Sequence, residues 1–315
     1  MRRFDLSGLL EPPFAARRHP ATDRVATESL EWARRLDLIG AGRSEHRLRR
    51  AGAAELAGRA CPQAQVDRLR LLTDLFSWLF VVDDACDDDG LGNAPTRLAP
   101  TVAALLDVLD RHGVPAEPVP AAGGLGVALA DICRRVRGQR RPELLLCLVS
   151  QLREYLLALL WEASNREQQR VPGVAEYLQM RRHTGGVRPS LTLTDLAYAG
   201  LPDPGQRVDP ALTALDDLAV DLVCWCNDLF SHRKEQDTAA DPHNLVTVLA
   251  AHTGRSEQAA FDLATGWFND GLARYLVREA ALVARLEAGL EPYLAARRSW
   301  LRATYDWSLR ADRYA

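Results

Sequence analysis

Residues 80–89 read FVVDDACDDD, and they follow a run, 66–82, whose apolar residues recur every three or four positions. This period predicts a helix on which Asp83 and Asp87 lie one turn apart on the same face. Two carboxylates so close together repel each other unless a cation lies between them, and Mg²⁺ prefers oxygen ligands of this kind. The stretch therefore predicts a Mg²⁺ site at a helix end. A solvated acidic helix terminus is the alternative.

A calcium-binding EF-hand loop does not fit the same stretch. With Gly90 at the invariant sixth position of such a loop, Ala85 takes the first position and Thr96 the twelfth. Both of these positions require carboxylates. The acidic residues are therefore interpreted as part of a helix and not as a loop.

The composition of the chain describes a globular protein with a large core. Of its 315 residues, 47% are hydrophobic and 26% are charged, and the net charge of -3 argues against a nucleic-acid-binding surface. Six cysteines are scattered without a CxxC or Cys/His pattern, which favours buried thiols in a reducing compartment. No signal peptide is evident, and no run approaches the roughly 18 apolar residues of a membrane span. We expect a cytoplasmic protein.

Helical periodicity dominates the chain, and no segment shows the alternation of a half-buried strand. The pattern predicts an all-α bundle of about ten or more helices, with ligand chemistry in its core. We expect one domain, 1–315, with an extended N-terminal segment at 1–25, a surface loop at 115–126 and a polar tail at 310–315. Helices are predicted at 28–38, 44–57, 66–82, 98–109, 125–136, 143–162, 174–183, 209–237, 256–289 and 292–309. Pro62 is expected in the first turn of the helix that carries the acidic stretch.

Two consecutive glycines, Gly185 and Gly186, follow Thr184 inside a helical pattern that otherwise runs to Tyr198. Two glycines in a helix interior cost about 2 kcal/mol relative to alanine. Such breaks turn backbone groups towards the interior of a bundle and often mark functional sites. A plain helix-loop-helix corner is the alternative.

A second group of oxygen-bearing side chains lies in NDLFSHRKE, residues 227–235. Asn227, Ser231 and Glu235 are spaced by four residues and therefore share one helix face. An amide, a hydroxyl and a carboxylate form a suitable set of ligands for Mg²⁺. Lys234 lies beside them and is the one lysine among 39 basic residues, which suggests a position that needs a compact ammonium group.

Together, Asp83-Asp84-xx-Asp87 and Asn227-Asp228-xx-Ser231-xx-Lys234-Glu235 resemble the paired metal motifs of class I terpene synthases, specifically the single-domain bacterial terpene cyclases. The resemblance includes an arginine 46 residues before the second motif and an Arg-Tyr pair near the end of the sequence, and it spans residues 76–314. It implies a helical bundle of the class I terpenoid synthase type with a central active-site cavity, three Mg²⁺ ions and a prenyl diphosphate substrate.

The resemblance also implies roles for individual residues. Asp83 would bridge two Mg²⁺ ions with support from Asp84 and Asp87, and the second motif would hold the third ion. The Gly185 carbonyl would help to polarise the ionising substrate. Thr184 stands where the family often has aspartate. Diphosphate oxygens would be bound by Arg181, Lys234, Arg313 and Tyr314.

A carbocation in a dry pocket needs aromatic faces and neutral walls. Phe76 and Phe80, on the face of Asp83, and Trp307, near the Arg-Tyr pair, are the aromatic candidates for substrate binding. Val220, Val223 and Cys224 precede the second motif on its own face and are expected to form a neutral wall. Because the two phenylalanines would shorten the cavity, we expect a 15-carbon substrate, and a 20-carbon substrate remains an alternative.

Two other functions compete with a cyclase. A chain-elongating prenyl diphosphate synthase would need a second Asp-rich motif, and a helical protein that only binds phosphorylated ligands would show no turnover. Asn269-Asp270 looks like a further second motif, but Ala273 and Val277 occupy the positions where its oxygen ligands would follow. Arg274-Tyr275 is another Arg-Tyr pair, but it lies within an amphipathic helical pattern. The sequence leaves open whether two copies of the chain form a homodimer.

Overall fold

The protein is described here by a computed structural model that covers residues 4–114, 122–198, 202, 204–238, 241–285, 290–311 and 313, with the backbone alone described at 204, 205, 236–238 and 285. This part of the chain contains α-helices, one short 3-10 helix at Leu91–Asn93, and no β-strand, which confirms the predicted all-α class. The predicted loop at 115–126 lies largely outside the described residues. The helices are α1 (Thr22–Arg35), α2 (Arg43–Ala51), α3 (Ala53–Ala60), α4 (Val66–Asp87), α5 (Pro95–Asp110), α6 (Gly123–Gly138), α7 (Pro142–Glu167), α8 (Val174–Thr184), α9 (Val187–Ala197), α10 (Pro204–Arg207), α11 (Pro210–Thr238), α12 (Leu245–Thr253), α13 (Glu257–Arg285) and α14 (Glu291–Ser308).

The helix that carries the acidic stretch, α4, lies in the middle of the bundle. It packs against α1, α3, α6 and α9, and Leu72, Leu75 and Trp78 on it are fully buried. It begins after Gln65, so Pro62 lies in the preceding turn and not in the first turn of the helix as predicted. Its helical conformation reaches Asp87, which places the whole Asp83–Asp87 motif on the last turn. The chain then reverses through Gly90, whose φ of 77° favours glycine.

The helix of the second motif, α11, packs against α8, α9, α13 and α14. A buried guanidinium links α9, α11 and α14. Arg297 on α14 pairs with Asp195 on α9, and its Nε donates to Asp216 Oδ1 on α11 at 3.0 Å. This ion-pair cluster joins the three helices in the interior of the bundle.

One described helix, α7, is long and apolar enough to span a membrane by length and composition alone, with a mean hydropathy of 1.6 over its best window. Half of that window is buried inside the protein. The helix packs against α5, α6, α8 and α9, and Leu148 and Leu152 are fully buried there. These contacts are those of a core helix.

The N-terminal segment is irregular, with several turns, and lies over α13 and α14. The Asn269 side chain accepts the Leu10 N–H at 2.9 Å and donates to the Gly8 carbonyl at 2.8 Å. The segment ends earlier than the predicted residue 25, because α1 already begins at Thr22, whose hydroxyl donates to the His19 carbonyl at 2.6 Å. Asn269 thus holds the N-terminal segment, which gives the rejected Asn269-Asp270 pair a structural role.

The predicted single helix at 44–57 is two helices in the structure. The chain turns at Gly52, whose φ of 64° lies in the left-handed region. Trp307 Nε1 donates to the Ala51 carbonyl at 3.0 Å and lies 3.2 Å from where a Gly52 Cβ would be. The break therefore allows the α14 indole to approach the backbone closely.

Candidate active site

Both predicted metal motifs line one cavity. Its empty space is about 1190 Å³ when its open mouth is included. Asp83 is half exposed where the cavity opens, whereas the rings of Phe76, Trp300 and Trp307 are buried, so the mouth is charged and the depth is aromatic. The described lining residues include Phe76, Leu79, Phe80, Asp83, Asp87, Tyr155, Leu159, Glu162, Arg166, Arg181, Thr184, Gly185, Gly186, Val187, Ser190, Val223, Cys224, Asn227, Ser231, Lys234, Glu235, Asp241, His243, Trp300, Thr304, Trp307 and Arg313.

The first two carboxylates of the acidic motif contact the C-terminal tail. Arg313 Nη1 donates to Asp84 Oδ1 at 2.9 Å, and the same guanidinium pairs with Asp83. Asp83 lines the cavity with half of its side chain exposed, whereas Asp84 is buried and is not among the lining residues. Burial raises the pKa of Asp84, and Arg313 partly opposes this effect. Tyr314, the partner of Arg313 in the predicted pair, lies outside the described residues.

The third carboxylate of the motif contacts an arginine that the sequence analysis missed. Arg166 Nη2 donates to Asp87 Oδ1 at 2.6 Å and to Asp241 Oδ2 at 2.6 Å, and all three residues line the cavity. Burial and the neighbouring Asp83 raise the pKa of Asp87, and Arg166 opposes this shift. Arg166 therefore connects the acidic motif on α4 with the segment that follows α11.

In the second motif, Asn227 lines the cavity and its neighbour Asp228 does not, although both contact Arg181. The Asn227 Oδ1 accepts from Arg181 Nη2 at 2.8 Å. Asp228 is fully buried behind it, where it accepts from Arg181 at 2.8 Å, from the Leu245 N–H at 3.2 Å and from the Tyr177 hydroxyl. Asp228 thus joins α8 and α12 to α11 and fixes Arg181 beside Asn227.

Glu235, the last oxygen donor of this motif, has an unusual environment. Burial raises its pKa to about 7, and the nearby carboxylates of Asp241 and Asp228 add to the shift. Asn244 Nδ2 donates to Glu235 Oε2 at 2.8 Å and to the Asp228 carbonyl at 2.9 Å. Asn244 Oδ1 accepts the Val246 N–H at 2.9 Å and so caps α12. Asn244 holds Glu235 towards the cavity, although no sequence motif had pointed to it.

The helical pattern is interrupted where the paired glycines predicted it. α8 ends at Thr184, α9 begins at Val187, and Gly186 between them has a φ of 64°. A Cβ on Gly185 would lie 2.6 Å from Cys224 Sγ on α11, so the break packs against α11 without space for a side chain. The Thr184 hydroxyl is buried at the cavity and has no hydrogen-bond partner among the described residues.

Most of the predicted pocket residues line the cavity, but Val220 does not. Val220 is buried in the hydrophobic core, one turn before Cys224 on α11. Val220 lies two turns before Asn227, one turn farther from the motif than Val223 and Cys224, which do line the cavity. The prediction for Val220 was therefore wrong. Phe80 stacks on Trp307 with ring centroids 5.8 Å apart, which places two of the predicted aromatics together at the wall.

A stripe on α14 was only partly recognised from the sequence. Trp300, Thr304 and Trp307 recur at steps of four and three residues and all line the cavity. This spacing is the signal that could have identified Trp300 and Thr304. Trp300 meets Phe76 edge-to-face, with centroids 5.6 Å apart and an interplanar angle of 88°.

The donor set fits Mg²⁺. Among the described residues, no three His, Cys, Asp or Glu side chains form a metal-binding group by themselves. Mg²⁺ does not require one, because it typically uses one or two protein carboxylates and completes its octahedron with water and substrate oxygens. Asp83, Asp87, Asn227, Ser231 and Glu235 present such oxygens to one cavity from two helices.

Comparison with known proteins agrees with this architecture. The family model described as "Terpene synthase family 2, C-terminal metal binding" matches residues 74–274. The chain is 31% identical to 4-epi-cubebol synthase of Streptosporangium roseum and 31% identical to (+)-T-muurolol synthase of Roseiflexus castenholzii, in each case over 99% of this chain and 94% of the relative. The names of both relatives state that they cyclise (2E,6E)-farnesyl diphosphate.

Solved structures show the same fold. Wild-type cucumene synthase aligns with a TM-score of 0.78 at 25% identity, and the alignment covers 97% of this chain and 100% of that structure's chain. The ancestral reconstruction SVS_A2 aligns with a TM-score of 0.83 over 96% of this chain and 90% of its own, and at 24% identity it supports the fold alone. The predicted family and fold are confirmed: this chain belongs to terpene synthase family 2 and is a single-domain, all-α terpene synthase.

Proposed function

We propose that this terpene synthase ionises farnesyl diphosphate with the help of Mg²⁺ and cyclises the resulting 15-carbon cation. The observation that carries the proposal is the single cavity into which both motifs open, charged at its mouth and aromatic in its depth. That polarity matches a substrate with a diphosphate head and an apolar tail. Relatives whose names state the cyclisation of (2E,6E)-farnesyl diphosphate support this chain length.

Two groups of residues would hold three Mg²⁺ ions in this proposal. Asp83 would be the main ligand on α4, with support from Asp84 and Asp87, and the second group on α11 would comprise Asn227, Ser231 and Glu235. Bound Mg²⁺ would supply Lewis-acid neutralisation of the charge that develops on the leaving diphosphate.

The side chains at the mouth would bind and orient the diphosphate. Arg181, Lys234 and Arg313 line the cavity beside the two motifs and can donate to phosphate oxygens. Arg181 is already fixed by Asp228, so its guanidinium is preorganised for an anion. We assign the same function to Tyr314. The Gly185 carbonyl would be directed at the ionising carbon by the helix break.

The deeper residues would guide the cation. Phe76, Phe80, Trp300 and Trp307 present rings to the cavity, and each favourable cation–π contact contributes roughly 0.5–2 kcal/mol. The surrounding apolar wall excludes water, which would otherwise trap the cation before cyclisation. The 15-carbon substrate, the cyclic product and the dependence on Mg²⁺ are the parts of the proposal that need experiment.

Incubation of the purified protein with Mg²⁺ and 10-, 15- or 20-carbon prenyl diphosphates tests the proposal. We expect a cyclic 15-carbon product by gas chromatography–mass spectrometry and no product when the metal is chelated. A longer prenyl diphosphate as the product would indicate a chain-elongating enzyme, and the absence of any product would indicate a protein that only binds its ligand. Asp83→Ala and Asn227→Ala should abolish turnover without loss of helical circular dichroism. Asp270→Ala, in the pair that does not line the cavity, is the matched control.

A further inference from the structure

We propose that Thr194 is a positioning residue that holds the Trp300 indole at one orientation in the cavity and thereby helps to determine which cyclic product forms. This inference rests on the proposed function, because it concerns the fate of the cation in the same cavity. Thr194 itself is fully buried and is not among the residues that line the cavity. Its effect on the reaction would be transmitted through Trp300.

The indole of Trp300 has two directional contacts. Its Nε1 donates to Thr194 Oγ1 at 2.9 Å, and its ring meets Phe76 edge-to-face at 5.6 Å. A buried indole N–H needs a hydrogen-bond partner, so rotation of the ring away from Thr194 is unfavourable. One contact fixes the edge of the ring and the other fixes its plane. Trp300 is only 2% exposed, so its orientation is also limited by packing.

The hydroxyl of Thr194 connects Trp300 to the helix break. It donates to the Ser190 carbonyl at 3.0 Å, and the Ser190 hydroxyl donates in turn to the Gly186 carbonyl at 2.7 Å. Each bond reaches back by one turn of α9. Ser190 and Gly186 line the cavity. The position of the indole is thus set relative to the same backbone that carries the break.

The position of an aromatic face matters for product choice. Competing cations that differ in charge position are separated by the energies of individual cation–π contacts, which are about as large as one hydrogen bond. Release of the indole from Thr194 should therefore change the ratio of products more than the total rate of substrate consumption.

Four variants test the proposal. Thr194→Val keeps the shape of the side chain and removes the hydroxyl, Thr194→Ser retains it, and Trp300→Phe removes the N–H. Thr192→Val is the matched control, because Thr192 lies on the same helix, is buried, and bonds to Gln151 Oε1 at 2.7 Å away from the cavity. Product ratios from farnesyl diphosphate, kcat, KM and melting temperature are measured for each protein.

We expect Thr194→Val and Trp300→Phe to change the ratio of the main product to the side products by roughly two- to tenfold, as loss of one hydrogen bond implies. Thr194→Ser should retain the wild-type product ratio. Thr192→Val should also retain it, even if its melting temperature falls as much as that of Thr194→Val. An unchanged product ratio in Thr194→Val, or an equal change in Thr192→Val, would overturn the proposal.

A second measurement does not depend on turnover. In ¹⁵N-labelled protein, the Trp300 indole cross peak is assigned by its loss in Trp300→Phe. We expect that peak to move in Thr194→Val and to stay in place in Thr192→Val, and an unmoved peak in Thr194→Val overturns the positioning contact. Failure of the wild-type protein to form a cyclic product instead refutes the proposed function, and the indole peak still decides the contact between Thr194 and Trp300.

Discussion

At the scale of single residues, the carboxylates of the acidic motif are compensated by arginines from distant parts of the chain. Arg313 pairs with Asp83 and Asp84, and Arg166 pairs with Asp87. Of these pairs, only Arg313 with Asp84 is largely buried on both sides, and removal of one partner from such a pair typically destabilises a protein by about 3–5 kcal/mol. The positions of these aspartates are therefore defined by ion pairs as well as by the helix that carries them.

Asn244 gives a prediction about the second motif. Because its amide donates to Glu235, Asn244→Ala should leave that carboxylate poorly oriented and raise the Mg²⁺ concentration needed for half-maximal activity roughly 10- to 100-fold. A Mg²⁺ titration of product formation measures the change, and calorimetric titration with Mg²⁺ and inorganic diphosphate provides a check without turnover. Asn269→Ala, which loosens only the N-terminal segment, should keep the wild-type requirement. Equal Mg²⁺ requirements in the two variants would contradict the assignment.

The thiols give a second prediction. Burial raises the pKa of Cys61, Cys133 and Cys224 to about 12, so almost none of these groups is a thiolate at pH 8. Cys147 is only partly buried. Iodoacetamide at pH 8 should therefore alkylate Cys147 first in the native protein and all six cysteines after unfolding, as measured by mass spectrometry. Cys147→Ser should abolish the rapid alkylation of the native protein, and rapid labelling of a different cysteine would disprove this order.

The residues that the sequence identified and those that it missed differ in a physical way. Asn227, Ser231 and Glu235 repeat along one helix face, so their spacing alone groups them. Arg166 lies 79 residues from Asp87, and Asn244 follows the helix end, so only the tertiary fold brings them to the site. Val220 has the right spacing but is not among the residues that line the cavity, and no periodicity shows how far a cavity extends along a helix.

At the scale of helices, the break between α8 and α9 is the element that shapes the site. Gly185 has φ −70° and ψ −8°, which any residue adopts, so alanine at this position is opposed only by contacts. Its Cβ would lie 2.6 Å from Cys224 Sγ and 3.1 Å from the Arg181 carbonyl. We expect Gly185→Ala to lower kcat roughly tenfold or more, since overpacking of about 1–3 kcal/mol would displace the break.

The clash with Cys224 can be relieved separately. Cys224→Ala removes the sulfur, so the double variant Gly185→Ala/Cys224→Ala should recover a measurable part of the lost kcat. Cys224→Ala alone shows what the enlarged cavity does by itself. If the double variant is as inactive as Gly185→Ala, the clash is with the Arg181 backbone and the role assigned to Cys224 fails.

The two glycine breaks in the bundle were not equally visible in the sequence. The paired glycines at 185 and 186 interrupt a continuous helical pattern, and their combined propensity cost predicts a break. Gly52 is a single glycine in an amphipathic stretch, which a helix tolerates. Its left-handed conformation accompanies the approach of Trp307, which is distant in sequence, to the Ala51 carbonyl. Local propensity could not reveal that contact.

At the scale of the whole molecule, binding at the cavity mouth involves elements from both ends of the chain. Asp83 and Asp87 lie on α4, Lys234 lies on α11, and Arg313 lies in the tail. Mg²⁺ alone must compete with the arginines for these carboxylates. Diphosphate alone brings further negative charge to the aspartates. Together, the two ligands neutralise each other, so their stabilising effects should be strongly cooperative.

We therefore expect Mg²⁺ and inorganic diphosphate together to raise the melting temperature by more than the sum of their separate effects. A jointly bound ligand pair at 100 times its Kd would stabilise the fold by about 2.7 kcal/mol. Arg313→Ala should weaken the joint effect and increase that of Mg²⁺ alone, because Asp83 and Asp84 lose their competing partner. Arg153→Ala, which removes a surface pair with Asp110, is the control and should behave like the wild type. If Mg²⁺ alone raised the melting temperature as much as both ligands together, this cooperation would be contradicted, because the carboxylates would bind metal without help from diphosphate.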